Sequence, residues 1–210
     1  VGTKPNSKDK IVHGSTENDP LSARVFKTIS EEHIGEMSFF RIYSGTVNVG
    51  DDLNNTTRND SEKMRQIYYM NGKNRKDASK LIAGDIAAAL KLKNTHTGDT
   101  LASSKKPILL HTIKYPTPNI SYAIKPKARG DEEKIATGLA VMHEEDPTFL
   151  YRVDPELKQT IVSVQGELHL SIIMKRIKKR FHVELNTETP KVPYRETITS
   201  QSNSKYRHKK

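Results

Sequence analysis

The sequence predicts a multi-domain chain of two different classes, a small closed β-barrel followed by an α+β domain. Three observations carry that prediction. Between Leu21 and about Ser103, short strand-like runs are separated by closely spaced glycine turns, the pattern of many short strands closing on themselves. From Asn119 to about Thr189, strand-like runs alternate with two stretches of helical periodicity. Pro107, Pro116 and Pro118 lie between these regions, where each proline restricts itself and the residue before it. A chain of 210 residues suffices for two domains, each with its own core.

Residues 1–20 are polar and aperiodic and end in Asn18-Asp19-Pro20, so they read as a flexible linker. In the barrel region, 21–103, residues 22–27, 39–43 and 46–49 are strand-like. A Gly-Asp pair recurs as Gly50-Asp51, Gly84-Asp85 and Gly98-Asp99. Glycine takes positive φ without strain and the aspartate bonds back to the backbone, so each pair suits a tight reversal. Residues 104–118 form a proline-containing linker, and the stretch 107–118 is the expected hinge.

In the second domain, 119–189, Ile120-Ser121-Tyr122-Ala123-Ile124 alternates as a strand and is stopped by Pro126. Gly130-Asp131-Glu132-Glu133 opens a helix, with acids in the first turn where the helix dipole favours them. Ile135, Leu139 and Met142 supply its buried stripe. Residues 150–153 and 160–164 form a hairpin around Asp154-Pro155. A second helix spans 166–181, with Leu168, Ile172, Ile173, Ile177 and Phe181 expected inward, and residues 182–186 form the last strand. Two helices on one face of a four-stranded antiparallel sheet is the ferredoxin-like βαββαβ arrangement. Residues 190–210 begin a further unit with no sheet to join, and disorder is expected there.

Apolar content of 34% is low and charged content of 29% somewhat high for a globular chain. A formal charge of +10 and a pI near 9.6 favour a polyanionic partner. There are no cysteines, which excludes disulfides, thiolate metal sites and cysteine nucleophiles. No apolar run approaches the roughly 18 residues of a membrane-spanning helix, and no charged-then-apolar signal pattern opens the sequence. A cytoplasmic monomer is expected, and the start at Val1 rather than Met predicts a piece of a longer chain.

The eight histidines show no tight ligand spacing, so no metal site is predicted. Neither Asn71-Gly72-Lys73-Asn74 nor Gly35-Glu36 fits the G-x-x-x-x-G-K-[ST] frame of a phosphate-binding loop. His169 lies beside Glu167 with no nucleophile or second acid at matched spacing, which argues against catalysis. Lys175, Arg176, Lys178, Lys179 and Arg180 project from a helix whose apolar stripe is committed to the core. They form either a solvated face or an electrostatic attachment to RNA, to which Lys205, Arg207, Lys209 and Lys210 would add.

Gln165-Gly166-Glu167-Leu168-His169-Leu170 and Pro193-Tyr194-Arg195-Glu196-Thr197 resemble the junction of domains III and IV in elongation factor G, the GTPase that moves tRNA and mRNA through the ribosome. Phe39-Phe40-Arg41-Ile42-Tyr43-Ser44-Gly45 and Ala83-Gly84-Asp85-Ile86-Ala87-Ala88 resemble domain II of that family. The resemblance runs from about Asp19 to Lys210 in the family's order. It implies a translation-factor β-barrel, a ferredoxin-like domain III and the opening of domain IV. The parent protein would hydrolyse GTP with Mg²⁺; this stretch would bind neither and would dock and relay. The implied partners are the ribosome, the parent's GTPase domain and domain IV.

The resemblance favours RNA contact for Arg41, Ser44 and Gly45, where the residues alone leave an exposed rim arginine equally open. Lys175, Arg176 and Lys179 are further RNA-contact candidates. Gly166, Glu167 and His169 fall at the family's inter-domain interface, where fusidic-acid-type inhibitors bind. The family carries a second glycine two positions before Gly166, and this chain has Val164. That departure leaves room for a ribosome-recycling paralogue or a tetracycline-resistance ribosomal protection protein. A free-standing RNA-binding module would need exposed sheet aromatics beyond Tyr122 and Tyr151. An acyl-phosphate hydrolase would need a fuller cradle than Lys125-Pro126-Lys127-Ala128-Arg129-Gly130.

Overall fold

The computed structural model describes residues 1–31, 34–128 and 130–209. His33, Arg129 and Lys210, which the sequence reading used, lie outside the described residues.

The first domain is all β. Its strands are β1 (Gly2–Thr3), β2 (Lys10–Ile11), β3 (Ser22–Glu31), β4 (Gly35–Ser44), β5 (Thr46–Asn48), β6 (Asp52–Asn55), β7 (Asp60–Lys63), β8 (Ile67–Asn71), β9 (Asn74–Asp77), β10 (Lys80–Ile82), β11 (Ile86–Leu90), β12 (Thr100–Ala102) and β13 (Leu109–Leu110). Eight strands form one antiparallel sheet in the order β7-β6-β12-β3-β4-β11-β8-β9, and β5 pairs with β10 beside it. The period of two sends alternate side chains inward. Ala23 and Val25 of β3, Phe40 and Ile42 of β4, and Ala87 and Ala89 of β11 thus share a core with Leu53, Met64, Ile67, Leu81 and Leu101. Full burial of each large side chain contributes about 1.5–3 kcal/mol, and this barrel-like core fixes the wall on which Arg41 stands.

The three Gly-Asp turns share one geometry. Gly50, Gly84 and Gly98 have φ of +96°, +102° and +100°. Each following aspartate accepts the N–H three residues before it: Asn48 to Asp51 at 2.8 Å, Ile82 to Asp85 at 2.9 Å and His96 to Asp99 at 3.0 Å. The carboxylate closes the turn from outside while the glycine reverses the chain.

Residues 1–20 are not the free linker that their composition suggests. β1 pairs with β13 on one side and β2 on the other, and Ile11 packs on Ala102, Ile108 and Leu110. Two-residue strands leave no periodicity to read, and the anchor is a single apolar residue. The same pairing removes Ile108 and Leu110 from the expected hinge, since both are buried. Only residues 111–119, without regular structure, join the two domains.

The second domain comprises β14 (Ile120–Pro126), α1 (Glu132–Glu145), β15 (Leu150–Asp154), β16 (Gln159–Val164), α2 (Glu167–Phe181) and β17 (Leu185–Glu188). Its sheet order, β15-β16-β14-β17, is all antiparallel and places the first strand between the third and fourth. This is the ferredoxin-like arrangement read from the sequence. Ile135, Leu139 and Met142 of α1 are buried as expected. They meet Phe149, Val162, Val164, Leu170, Ile173, Ile177 and Val183 in one core.

Two features of the second helix differ from expectation. Leu170, Ile173 and Ile177 face inward, whereas Leu168 is 75% exposed and Ile172 41% exposed. Apolar residues cover more of this helix than one core stripe can bury, so periodicity alone does not select the buried face. The last strand also begins three residues late. His182 takes the left-handed cap conformation at φ +55° and closes α2, with its N–H on the Lys178 carbonyl.

Lys191 exchanges two bonds with the Gln159 side chain, at 3.0 and 3.1 Å. Beyond it residues 192–209 are exposed and carry no regular structure. Among the described residues no helix is long and apolar enough to cross a membrane.

Candidate functional site: the barrel wall and the inter-domain junction

The outer face of β4 presents Phe39, Arg41 and Tyr43, because its even-numbered neighbours Phe40, Ile42 and Ser44 turn inward. Arg41 pairs with Arg24 of β3 on one side and Ile86 of β11 on the other. Its guanidinium lies over the Tyr43 ring, 5.6 Å from the centroid. A register shift between Val25 and Lys27 bulges β3 and turns Phe26 outward, where its ring meets Phe39 at 6.5 Å. Lys27 lies opposite Phe39. Among the described residues Arg41 has no carboxylate partner. The wall therefore offers free guanidinium donors and exposed rings side by side, groups suited to phosphate oxygens and base faces. Arg24, Phe26 and Tyr43 were not singled out in the sequence. The alternation of residues 39–43 was the signal for Tyr43; a bulge leaves none for Phe26.

Ser44 and Gly45 do not belong to this surface. Ser44 is 1% exposed, and its hydroxyl pairs with Ser22 Oγ at 2.6 Å and donates to the Pro20 carbonyl at 2.7 Å. Gly45 has φ of +78°, and a Cβ there would lie 2.6 Å from the backbone of Leu21. Both residues seat the segment before β3 against the end of β4. Their role is structural, and Arg41 alone of the three faces solvent.

On α2 the basic run divides. Lys178 pairs with Glu184, and Arg180 donates to Glu145 at 2.7 Å. Lys175, Arg176 and Lys179 are exposed without ion-pair partners among the described residues. With Leu168 and Ile172 they give the helix an outward face that is apolar at its start and cationic further along. Two lysines hold the Glu184 carboxyl at about 2.

Gly166 precedes α2 in extended backbone, and a Cβ added there would meet nothing within 4 Å, so local geometry does not demand glycine. Glu167 is exposed in the first turn. His169 has a positioning role. Its Nδ1 accepts the Gln165 N–H at 3.2 Å, which leaves Nε2–H to donate to Asp146 Oδ2 at 3.1 Å. Burial pushes the Asp146 carboxyl up, but bonds from Thr148 and His169 outweigh it and hold that carboxyl below the usual range. His169 thus ties the start of α2 to the end of α1. Nothing in the order of residues joins Asp146 to His169, 23 positions on.

The junction between domains is polar. Glu145 accepts from the Ser30 N–H at 3.0 Å and from Arg180, and Arg180 also donates to the Ser30 carbonyl. His96 Nδ1 lies 2.5 Å from Glu144 Oε1. The end of β3 at Ser30 is therefore clasped by the C-terminal ends of both helices.

A barrel-like β domain followed by a ferredoxin-like domain on a short extended connection is the arrangement of the central domains of translational GTPases. The family model described as elongation factor G domain 2 matches residues 20–104, and that described as Elongation Factor G, domain III, matches residues 115–189. The chain belongs to the elongation factor G family. A crystal structure of a protein from Thermus thermophilus is similar at a TM-score of 0.72 and 29% sequence identity, over 84% of this chain and 26% of that one. The chain thus spans about a quarter of that protein's length.

Proposed function

We propose that this chain is the central part of an elongation factor G-type GTPase that promotes ribosomal translocation of tRNA and mRNA. GTP and Mg²⁺ belong to the parent's GTPase domain in this reading, and no residue here serves hydrolysis. The barrel docks on the small ribosomal subunit, and the observation that carries this is the unpartnered Arg41 stacked on Tyr43. Lys175, Arg176 and Lys179 add salt-dependent attraction to ribosomal RNA. The outward start of α2, with Gly166, Glu167, Leu168 and Ile172, is the face for the parent's GTPase domain, and His169 holds that helix start in place. The Ser30–Glu145–Arg180 clasp relays position from barrel to domain III. The protein acts as a cytoplasmic monomer.

Val164 favours a second reading within the same architecture, a recycling-specialised paralogue or a ribosomal protection protein. It is fully buried at the end of β16, where it packs in the core of domain III. A glycine there could not fill that space.

Sedimentation of the chain with 70S ribosomes and separated subunits across a salt series tests docking. Saturable pelleting with the small subunit is expected, with Arg41→Gln weakening it about tenfold and lowering the salt slope by about one. Equal, salt-labile pelleting of ribosomes and bulk RNA, unchanged by Arg41→Gln, would remove the docking role.

A further inference from the structure

Where the N-terminal segment crosses the barrel, a cleft of about 360 Å³ opens between the wall, residues 13–15 and residues 108–111. Its polar lining is cationic and hydroxylic: Arg24, His13, His111, Tyr43 and three serines, of which Ser22 and Ser44 bond to each other, with no carboxylate among the lining residues. Arg24 gives one guanidinium nitrogen to the His111 carbonyl, while its Nε is buried with no partner. His13 Nδ1 is likewise buried and unpartnered. No ion pair neutralises Arg24 among the described residues. A desolvated cation is costly unless something accepts from it, and a desolvated imidazole nitrogen leaves the same cleft short of a further bond. Arg24 is short of an acceptor, and His13 Nδ1, 11 residues away in sequence, is short of a bond at the same cleft; once protonated it too calls for an acceptor.

We infer that this cleft is an anion site that takes a phosphate group, carried either by a free nucleotide or by an RNA strand lying on the wall. The guanidinium matches phosphate oxygens in charge and in its planar fork of donors. Protonated His13 supplies a second donor. The groups that act on His13 come from every side of the cleft. Burial, the largest effect, lowers its pKa, Asp19 and a bond to the Pro20 backbone raise it, and Lys106 and the Val1 amino group lower it. Asp19 is itself occupied by the Thr16 N–H at 3.0 Å and hydroxyl at 2.6 Å. An incoming dianion opposes the burial effect and favours the imidazolium. Tyr43 joins this cleft to the Arg41 wall, so an RNA strand on the wall would reach it.

The test is an NMR titration of the histidine side chains in the full 210-residue chain between about pH 5.5 and 7.5, the range in which imidazole titrates. Inorganic phosphate, a nucleoside 5′-monophosphate and an oligouridine lacking terminal phosphates serve as separate probes. Saturable shifts of His13 and a rise in its pKa with phosphate are expected, and Arg24→Gln should weaken binding at least tenfold. Stronger binding of the monophosphate assigns the site to nucleotides; stronger binding of the oligouridine assigns it to an RNA backbone. If Arg24→Gln fails to fold, the wild-type His13 pKa decides the matter alone. An unmoved His13 pKa with all three probes, or shifts that chloride reproduces at equal ionic strength, would overturn the site. The RNA arm rests on the docking reading, but the phosphate arm uses no ribosome and no RNA, so its failure is separable from that of the docking test.

Discussion

Both domains pack an apolar core, but only the barrel adds a buried polar network. Ten of the buried polar or charged residues lie in the barrel, from Ser22 to Thr100, whereas domain III buries only Gln159 among its described residues. In the barrel, Glu62 accepts from the Lys93 N–H at 2.9 Å, the Asn94 N–H at 2.6 Å and the Thr95 hydroxyl at 2.9 Å. One Asp99 oxygen accepts from Asn55 at 2.9 Å, Arg58 at 2.7 Å and the His96 N–H at 3.0 Å. These carboxylates hold the loop between β11 and β12 in one shape, which non-directional apolar packing alone does not specify. Domain III has two helices to lay on its sheet and needs no such ties. A barrel that adds a polar network to its apolar core is thus joined by a polar clasp to a domain packed by apolar contacts.

The strongest way to break this comparison is in the core of domain III. Phe149 is fully buried, and its ring stacks on Tyr151 at 6.4 Å between centroids. Phe149→Ala should cost about 3–5 kcal/mol. Amide exchange should then show lost protection in β14–β17 and both helices while the barrel keeps its own. A matching loss in the barrel would mean that the clasp welds the domains into one cooperative unit. A smaller effect is expected in the barrel. Glu62→Gln keeps the shape but replaces one acceptor with a donor, leaving a buried N–H unpaired at about 1–3 kcal/mol. Its exchange signature should be confined to residues 92–99, with domain III unchanged.

The legible parts of this fold are those in which local pattern and tertiary need coincide. The stripe of α1, the Gly-Asp turns and the order of the ferredoxin-like elements all have that property. The pairing of β1 with β13 was illegible, because a contact between residues 2 and 110 depends on chain far away and leaves no period in two residues. Leu168 and Ile172 were misplaced for a related reason, since a helix with two apolar faces does not say which one the sheet will take. The candidate site divides in the same way. Arg41, Ser44 and Gly45 come together from the family resemblance; alternation along β4 puts Arg41 outward, while Ser44 and Gly45 face Pro20 and Leu21. Arg24 and His13 could not be joined in a sequence, because what unites them is a missing partner.

The smallest predicted effect tests whether the clasp is under electrostatic tension. Glu36 of β4 is partly buried at the junction, and burial first, then the neighbouring Glu144, push its carboxyl above the ordinary 4.5, against an opposing effect of His96. A raised carboxyl contributes its stability below pH 4.5 and loses it as the pH rises through the folded value. At pH 7 the Glu36 carboxylate therefore opposes the closed junction, while the protonated acid at pH 4 does not. Glu36→Gln should raise the melting temperature at pH 7 by about 1–2 °C, the range of a surface change within about 0.5 kcal/mol in a chain of this size. At pH 4 the variant and the parent should melt together. A destabilised variant at pH 7 would mean that attraction of Glu36 to His96 outweighs its burial and its repulsion by Glu144.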